Sequence, residues 1–248
     1  ITEAVAGDVS LAAEVLKAVN SPAFGLSRTI GSIPNAVMML GLDNALNVVN
    51  GVALRISMGR GCDLKLDRFW DTAGDVATAA SMLARELTGH PSDVAYTLGL
   101  MHDCGIPVLL CHLPGYREHL EAAQREPGDN VTAAERARFG IDHAQVGARI
   151  SATWNMPQSI THAIRSHHHF EALTEPDNPF GDDIASLVGV LKMAEHVSNR
   201  FRGLAFRNLD ADHEWEQVGS WVLGYFGMSA VEFSDRCDDL VAVLGQRA

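Results

Sequence analysis

Between residues 66 and 88 the apolar positions recur at intervals of three and four. Leu66, Phe69, Trp70, Ala73, Val76, Ala77, Ala80, Leu83, Ala84 and Leu87 fall on one face of a helix. Other periodic segments are opened by helix-start signals: Ser32 before Pro34, Ser92 after Pro91, Asp142 before His143, and the capping boxes Thr132 to Glu135 and Ser229 to Glu232. Together these predict helices near 9–20, 34–41, 43–58, 66–88, 92–103, 106–113, 132–139, 142–154, 157–168, 182–202, 212–225 and 229–245. No stretch alternates with period two beside a hairpin turn, so the expected fold class is all-α, a multi-helical bundle.

The breaks in this pattern are short. "GHPSD" separates helices that can still pack together, "EPDNPFGDD" at 175–183 precedes the C-terminal third, and "GRGCDLKLD" at 59–67 is a softer interruption. They suggest a small N-terminal helical lobe over 1–58, a helical core over 66–202 and C-terminal helices over 205–248 packed on that core. There is no internal repeat and no low-complexity tract.

Composition narrows the functional classes. With 248 residues and 47% hydrophobic content the chain can bury a sizeable core. A formal net charge of −12 repels phosphate backbones, which argues against nonspecific nucleic-acid binding. No apolar run reaches the roughly 18 residues that span a bilayer, and residues 1–20 lack the layout of a secretory signal. The expectation is a cytoplasmic protein without membrane attachment, and the start at Ile1 reads as that of a fragment. Cys62, Cys104, Cys111 and Cys237 form no CxxC pair, a pattern that suits buried thiols in a reducing compartment.

Chemistry gathers in one stretch. Eight of the 11 histidines lie between residues 102 and 169: His102, His112, His119, His143, His162, His167, His168 and His169. Neutral imidazole and carboxylate are standard ligands of zinc, iron and manganese. His102–Asp103 is the best placed pair, since it closes an apolar helix and is followed by Gly105 and Pro107, which break that helix. A histidine at a helix end more often meets the helix dipole than a ligand, and by that standard His90, His112, His119 and His213 read as surface residues. Within "SHHHF" neighbouring helical positions point about 100° apart, so at most two of the three histidines reach a shared site.

Other motifs have plainer readings. Asn20 and Ser21 in "NSPAFG" read as a helix-end cap with Phe24 plugging the core. Residues 34–58 resemble a helix-turn-helix only in outline, because "NALNVVNGVALR" carries one basic residue. Trp70 and Trp154 read as core anchors. Trp215 and Trp221, with Val218, Val222 and Phe226, form a stripe that packs on the central helices or serves as an interaction surface.

In several blocks the chain resembles the HD superfamily of metal-dependent phosphohydrolases and, more closely, its signalling-associated HDOD branch. "LAAEVLKAVNSPAFGLSRTIGSIPNAVMMLGLDNALNVV" is similar to that family's N-terminal helical lobe. "GLMHDCG" resembles the motif that names the superfamily, "DHAQVGARISATWNMP" the following histidine helix, and "AIRSHHH" the histidine pair after it. The blocks occur in family order over residues 1 to about 200, while 205–248 resemble nothing nameable.

The resemblance implies an HD-like bundle with His102 and Asp103 as the central metal pair, His143, His167 and His168 as downstream ligands, and Glu195 in place of the late aspartate. It also implies departures. The upstream histidine position is Thr72, and a lysine that follows the motif in the related phosphodiesterases is Ile106. Losing an imidazole weakens a site that must hold metal and leave room for water, and losing the lysine removes charge stabilisation from a phosphoryl transition state. The expected function is therefore a bacterial-type, non-catalytic regulatory domain acting on a protein partner in a signalling pathway, with a degenerate pocket. No cofactor is required, though one divalent ion (iron, manganese or zinc) could be held. The rival is a metal-dependent phosphodiesterase or phosphohydrolase with an atypical ligand set, and a weaker one is a module that binds a nucleotide or metal without chemistry.

Overall fold

The amphipathic pattern at 66–88 folds as the helix Asp67–Leu87, with Trp70, Ala73, Val76, Ala77, Ala80, Leu83 and Ala84 all buried. It is seen in a computed structural model that describes residues 5, 9–26, 29–58, 66–125, 131–170, 175, 178, 181–206 and 212–246. In chain order the helices are α1 (Val9–Val19), α2 (Ile33–Leu40), α3 (Leu42–Met58), α4 (Asp67–Leu87), α5 (Ser92–Met101), α6 (Gly105–His112), α7 (Tyr116–Arg125), α8 (Val131–Phe139), α9 (His143–Thr153), α10 (Gln158–Ser166), α11 (Gly181–Phe206), α12 (His213–Tyr225) and α13 (Ala230–Gly245). Among the described residues there is no strand, so the fold is all-α.

Two helices organise the rest. α4 packs against both α5 and α11. α11 is apolar on most of its circumference: Ile184, Leu187, Val188, Leu191, Met193, Ala194 and Val197 are buried, as expected of a helix enclosed on all sides. Most of the buried apolar residues form one cluster that runs from Val5 to Leu244 and includes α12 and α13 through Val218, Val222, Phe233 and Leu240. Residues 59–65, and with them Cys62, and residues 176, 177, 179 and 180 of the interruption at 175–183 lie outside the described residues.

Several expectations are corrected by packing. α7 was not expected; its sequence is polar, and it is held mainly by Tyr116 and His119, both buried against Phe139. His119 is thus not a surface residue. Nor is His90, whose Nε2 lies 2.7 Å from Ser186 Oγ. Asn20 and Ser21 close α1 as expected, their N–H groups donating to Leu16 O and Ala18 O at 3.0 Å, and the Asn20 amide also clasps the backbone of Ile30, donating to the carbonyl at 2.8 Å and accepting from the N–H at 2.6 Å. Cys104 and Cys237 are buried thiols, but Cys111 is disulfide-bonded, a contact that chain spacing does not reveal. Ser92–His112 is long and apolar enough to cross a membrane, yet 67% of its most apolar window is buried inside the fold and a turn at residues 102–104 divides it.

That turn is the part of the fold that matters most. His102 ends α5 with its N–H donating to Leu98 O at 2.8 Å, and α6 begins at once at Gly105. Pro107 sits in the first turn of α6, where its missing N–H is tolerated, so it starts a helix as well as ending one. Two glycines permit the close approach. A Cβ on Gly99 would lie 2.6 Å from Ala77 Cα, and one on Gly105 would lie 2.1 Å from His143 O. Hydrogen at these positions lets α5 lie on α4, and the start of α6 on the start of α9.

Candidate functional site

Asp103 is the hub. Its Oδ1 lies 3.4 Å from the Nε2 atoms of both His143 and His167, and its Oδ2 lies 3.3 Å from His102 Nε2. His168 Nε2 lies 2.9 Å from His143 Nε2. Ligand atoms of Asp103, His143, His167 and His168 all lie within 4.8 Å of one another, so these four could hold one divalent cation. Glu195 joins from α11, with Oε1 3.3 Å from His102 Nε2. All six residues expected from the sequence therefore meet, and Thr72 lines a cleft of about 190 Å³ together with His102, Asp103, His168 and Glu195. Its hydroxyl donates to Arg68 O at 2.9 Å. Ile106 instead closes the turn, its N–H donating to Asp103 O at 2.9 Å.

Each imidazole is fixed by its far nitrogen. Nδ1 of His102 and of His167 donates to a backbone carbonyl, Gly99 O at 2.8 Å and Ile164 O at 2.6 Å. Nδ1 of His143 and of His168 faces a carboxylate at 2.8 Å, Glu135 and Glu214 respectively. Acceptors on all four Nδ1 atoms place a proton there and turn the four Nε2 atoms inward, the arrangement that fixes metal-ligating histidines. Glu135 is fully buried in α8 and also receives the His143 N–H at 2.9 Å and the Tyr116 hydroxyl at 2.6 Å. Read from sequence it closes a capping box with Thr132, but Thr132 lies inside α8 and the carboxylate is spent on His143 and Tyr116. The true caps are Asp142, accepting from Gln145 N at 2.7 Å, and the reciprocal Ser229–Glu232 box.

The protonation pattern follows. His168 donates through Nδ1 to Glu214, so its Nε2 is an acceptor and the 2.9 Å contact requires a proton on His143 Nε2. His143 also donates to Glu135, which makes it an imidazolium. Burial opposes that charge, but Glu135 and then Asp103 outweigh it and raise the His143 pKa above its usual value. Burial likewise opposes charge on His102, yet Asp103 and then Glu195 raise it to about 9. His167 is held well below its usual value by burial and by His168, and His168 is lowered to about 4 by burial and Lys192. Both are neutral at pH 7. Asp103 stays ionised: burial pushes its carboxyl up, but His102, followed by His167 and His143, holds it well below the usual range.

Two buried atoms at the centre remain unmet. Neither Asp103 Oδ1 nor His167 Nε2 has a hydrogen-bond partner among the described residues, although they are 3.4 Å apart. Buried polar atoms are rarely left so, and a cation between them would satisfy both.

Lys192 and Glu214 complete the site and were not expected from sequence. Lys192, 2% exposed, places Nζ 2.6 Å from Glu214 Oε1 and 2.9 Å from Glu195 Oε2. Its position three residues before Glu195 in an apolar stretch was the available signal, since that spacing puts both on one face. Glu214 comes from the C-terminal helices that resembled nothing. Nearby, Trp215 stacks on His196 at 4.7 Å and 23° and meets Phe233 at 4.9 Å, so it belongs to the packing, whereas Trp221 is 53% exposed.

Comparison with known proteins agrees with this architecture. The chain is 26% identical over 228 residues to an uncharacterized protein of Treponema pallidum (strain Nichols), covering 91% of this chain and 41% of that one. It thus spans about two fifths of that relative's length. A crystal structure from Shewanella amazonensis SB2B, named as a candidate phosphohydrolase, superposes with a TM-score of 0.67 at 22% identity, covering 99% of this chain and 85% of the other. The MmoQ response regulator of Methylococcus capsulatus str. Bath superposes with a TM-score of 0.53 at 20% identity, covering 98% and 87%. At these identities the two structures share the fold. The HDOD domain model matches residues 1–170, over two thirds of the chain and the whole run from the N-terminal helices through the histidine pair, and the chain belongs to the HDOD family.

Proposed function

We propose that this chain is a regulatory HDOD domain that holds one divalent transition-metal ion and signals through protein contact, without turning over a phosphoester. The observation that carries the metal reading is the convergence of Asp103 Oδ1 with three imidazole Nε2 atoms whose opposite nitrogens are all fixed. Three imidazoles and a carboxylate are a donor set for zinc, iron or manganese. A bound divalent ion would act as a Lewis acid on an oxygen ligand. The chain's own residues hold the imidazoles in place, keep His167 and His168 neutral, and keep Asp103 ionised.

Support for a regulatory role comes from what surrounds this cluster. The cleft is walled by Glu195, Asp212 and Glu214, which repel a phosphate, and its buried lysine is bound to two of those carboxylates. Apart from a bound metal ion and His102, a phosphoryl transition state would find no side-chain cation in the cleft that is not already paired with a carboxylate. Thr72 adds no imidazole. The shared fold of the Methylococcus response regulator is in keeping with a signalling partner. The hydrolase reading keeps one observation in its favour, the pre-formed ligand set itself.

Elemental analysis of protein purified without chelator separates these readings when paired with an assay on bis(p-nitrophenyl) phosphate. The expected result is bound metal that disappears in His143→Ala, with no hydrolysis above that variant. Metal-dependent hydrolysis lost in His143→Ala would establish the enzyme instead, and protein that neither carries nor takes up metal would overturn the metal reading.

A further inference from the structure

We infer that the Lys192 ammonium is a built-in cation that neutralises the carboxylates of what would otherwise be a second cation position beside Asp103, so that the pocket holds one metal ion and no more. The inference rests on the metal reading above and extends it to stoichiometry.

The two oxygens of Asp103 face different surroundings. Oδ1 meets His143 and His167, each at 3.4 Å. Oδ2 meets His102, whose Nε2 is equally 3.3 Å from Glu195 Oε1. Asp103, His102 and Glu195 would make the beginning of a second metal position, with Glu214 close behind. That group carries three carboxylates, an arrangement that needs a cation when withdrawn from water. Lys192 supplies it. Its stem enters from α11, and Nζ bridges Glu195 Oε2 at 2.9 Å and Glu214 Oε1 at 2.6 Å. Lys192 is only 2% exposed, so the ammonium is held among these carboxylates at the base of the cleft.

A tethered ammonium differs from a bound ion in two ways. It does not dissociate, and it holds Glu195 through Oε2 and Glu214 through Oε1, neutralising two of the carboxylates that a second divalent ion would need. It also supports the first position, because Glu214 Oε1 is shared between Lys192 and His168 Nδ1, at 2.6 Å and 2.8 Å. A pocket limited in this way lacks the pair of metal ions that clamps attacking and leaving oxygens in two-metal hydrolysis. The regulatory reading is consistent with that loss.

The test counts metal. Chelator-stripped wild type, Lys192→Met and Lys192→Gln are loaded with excess Mn²⁺, passed through gel filtration, and read by elemental analysis and by electron paramagnetic resonance, with circular dichroism as the check of folding. The expected result is one Mn²⁺ per wild-type chain with an isolated-ion spectrum, and a second, spin-coupled Mn²⁺ in whichever lysine variant folds. Two ions in the wild type would overturn the inference while leaving the metal reading intact. One ion in a folded lysine variant would also overturn it, since Lys192 would not be what limits the count. No ion in the wild type would overturn the metal reading first and this inference with it. Should neither variant fold, the wild-type count and spectrum decide alone.

Discussion

The two sides of Asp103 are both buried and both ionic, yet they are in opposite states. On the Oδ1 side, His143 carries a proton that a metal ion would displace, His167 and His168 are neutral, and Asp103 Oδ1 and His167 Nε2 lack hydrogen-bond partners among the described residues. On the Oδ2 side, His102 and Lys192 are cations set against Asp103, Glu195 and Glu214. One side has donor atoms waiting for a cation, and the other is already neutralised by the chain's own cations. Similar residue types can therefore build either a binding site or a closed ionic network, and which one results depends on where the protons and a single lysine sit.

The largest expected effect separates the sides directly. His167→Ala removes an imidazole from the open side and abolishes metal retention through gel filtration. His102→Ala acts on the closed side and leaves close to one equivalent bound. Equal loss in both variants would erase the distinction.

A smaller effect tests the support behind the open side. Glu135→Gln leaves every ligand in place but weakens the anchor on His143 Nδ1, and metal affinity falls about 10–100-fold, as is typical when such a partner is removed. Competition against a chelator of known affinity measures it. An unchanged affinity would mean that Glu135 serves only the packing of α8.

Smaller again is the dependence on pH. Loading the open side displaces the proton that His143 holds with a raised pKa, so affinity rises with pH, about tenfold per unit for each proton displaced. In metal-free protein, His143, His102 (raised to about 9) and Glu195 (pushed up to about 7 by burial) all bind their protons more tightly folded than unfolded. Groups with raised pKa contribute stability that is full below their unfolded values and is lost as pH rises through the folded ones. The melting temperature of the metal-free protein therefore falls between about pH 6.5 and 9, and the gap to the metal-loaded protein widens over the same window. A gap that narrows on going to pH 9 would contradict this assignment of protons.

The smallest effect belongs to the cleft wall. Trp215→Ala removes the stack on His196 and the contact with Phe233, and costs about 1–2 kcal/mol of stability because the side chain is only half buried. Metal affinity changes less than about twofold. A larger change, read by the same chelator competition, would connect α12 to the ligands more tightly than Glu214 alone accounts for.

Much of the molecule was legible in the sequence because periodicity records burial. The α4 stripe and the caps at Ser32, Asp142 and Ser229 appear where the pattern places them. The candidate ligands were legible for another reason: His102–Asp103 and His167–His168 are adjacent pairs, so local order puts them side by side. The supporting shell was not, since it is assembled from distant elements. Glu135 imitates a capping residue, Glu214 arrives from a helix outside the recognisable blocks, and Lys192 reads as one charge within the apolar run from Ile184 to Ala194. α7 escapes notice for a different reason: its sequence is polar on average, and among its residues of described burial only Tyr116 and His119 are fully buried.

X-ray absorption at the zinc edge of zinc-loaded protein tests the central claim most directly, because it reports the ligands themselves. The account predicts one zinc per chain with three imidazole nitrogens and at least one oxygen at about 2.0–2.2 Å, and the loss of one imidazole from the spectrum of any His143→Ala protein that still binds zinc. A shell with one imidazole or none, or a spectrum unaltered by His143→Ala, would contradict it.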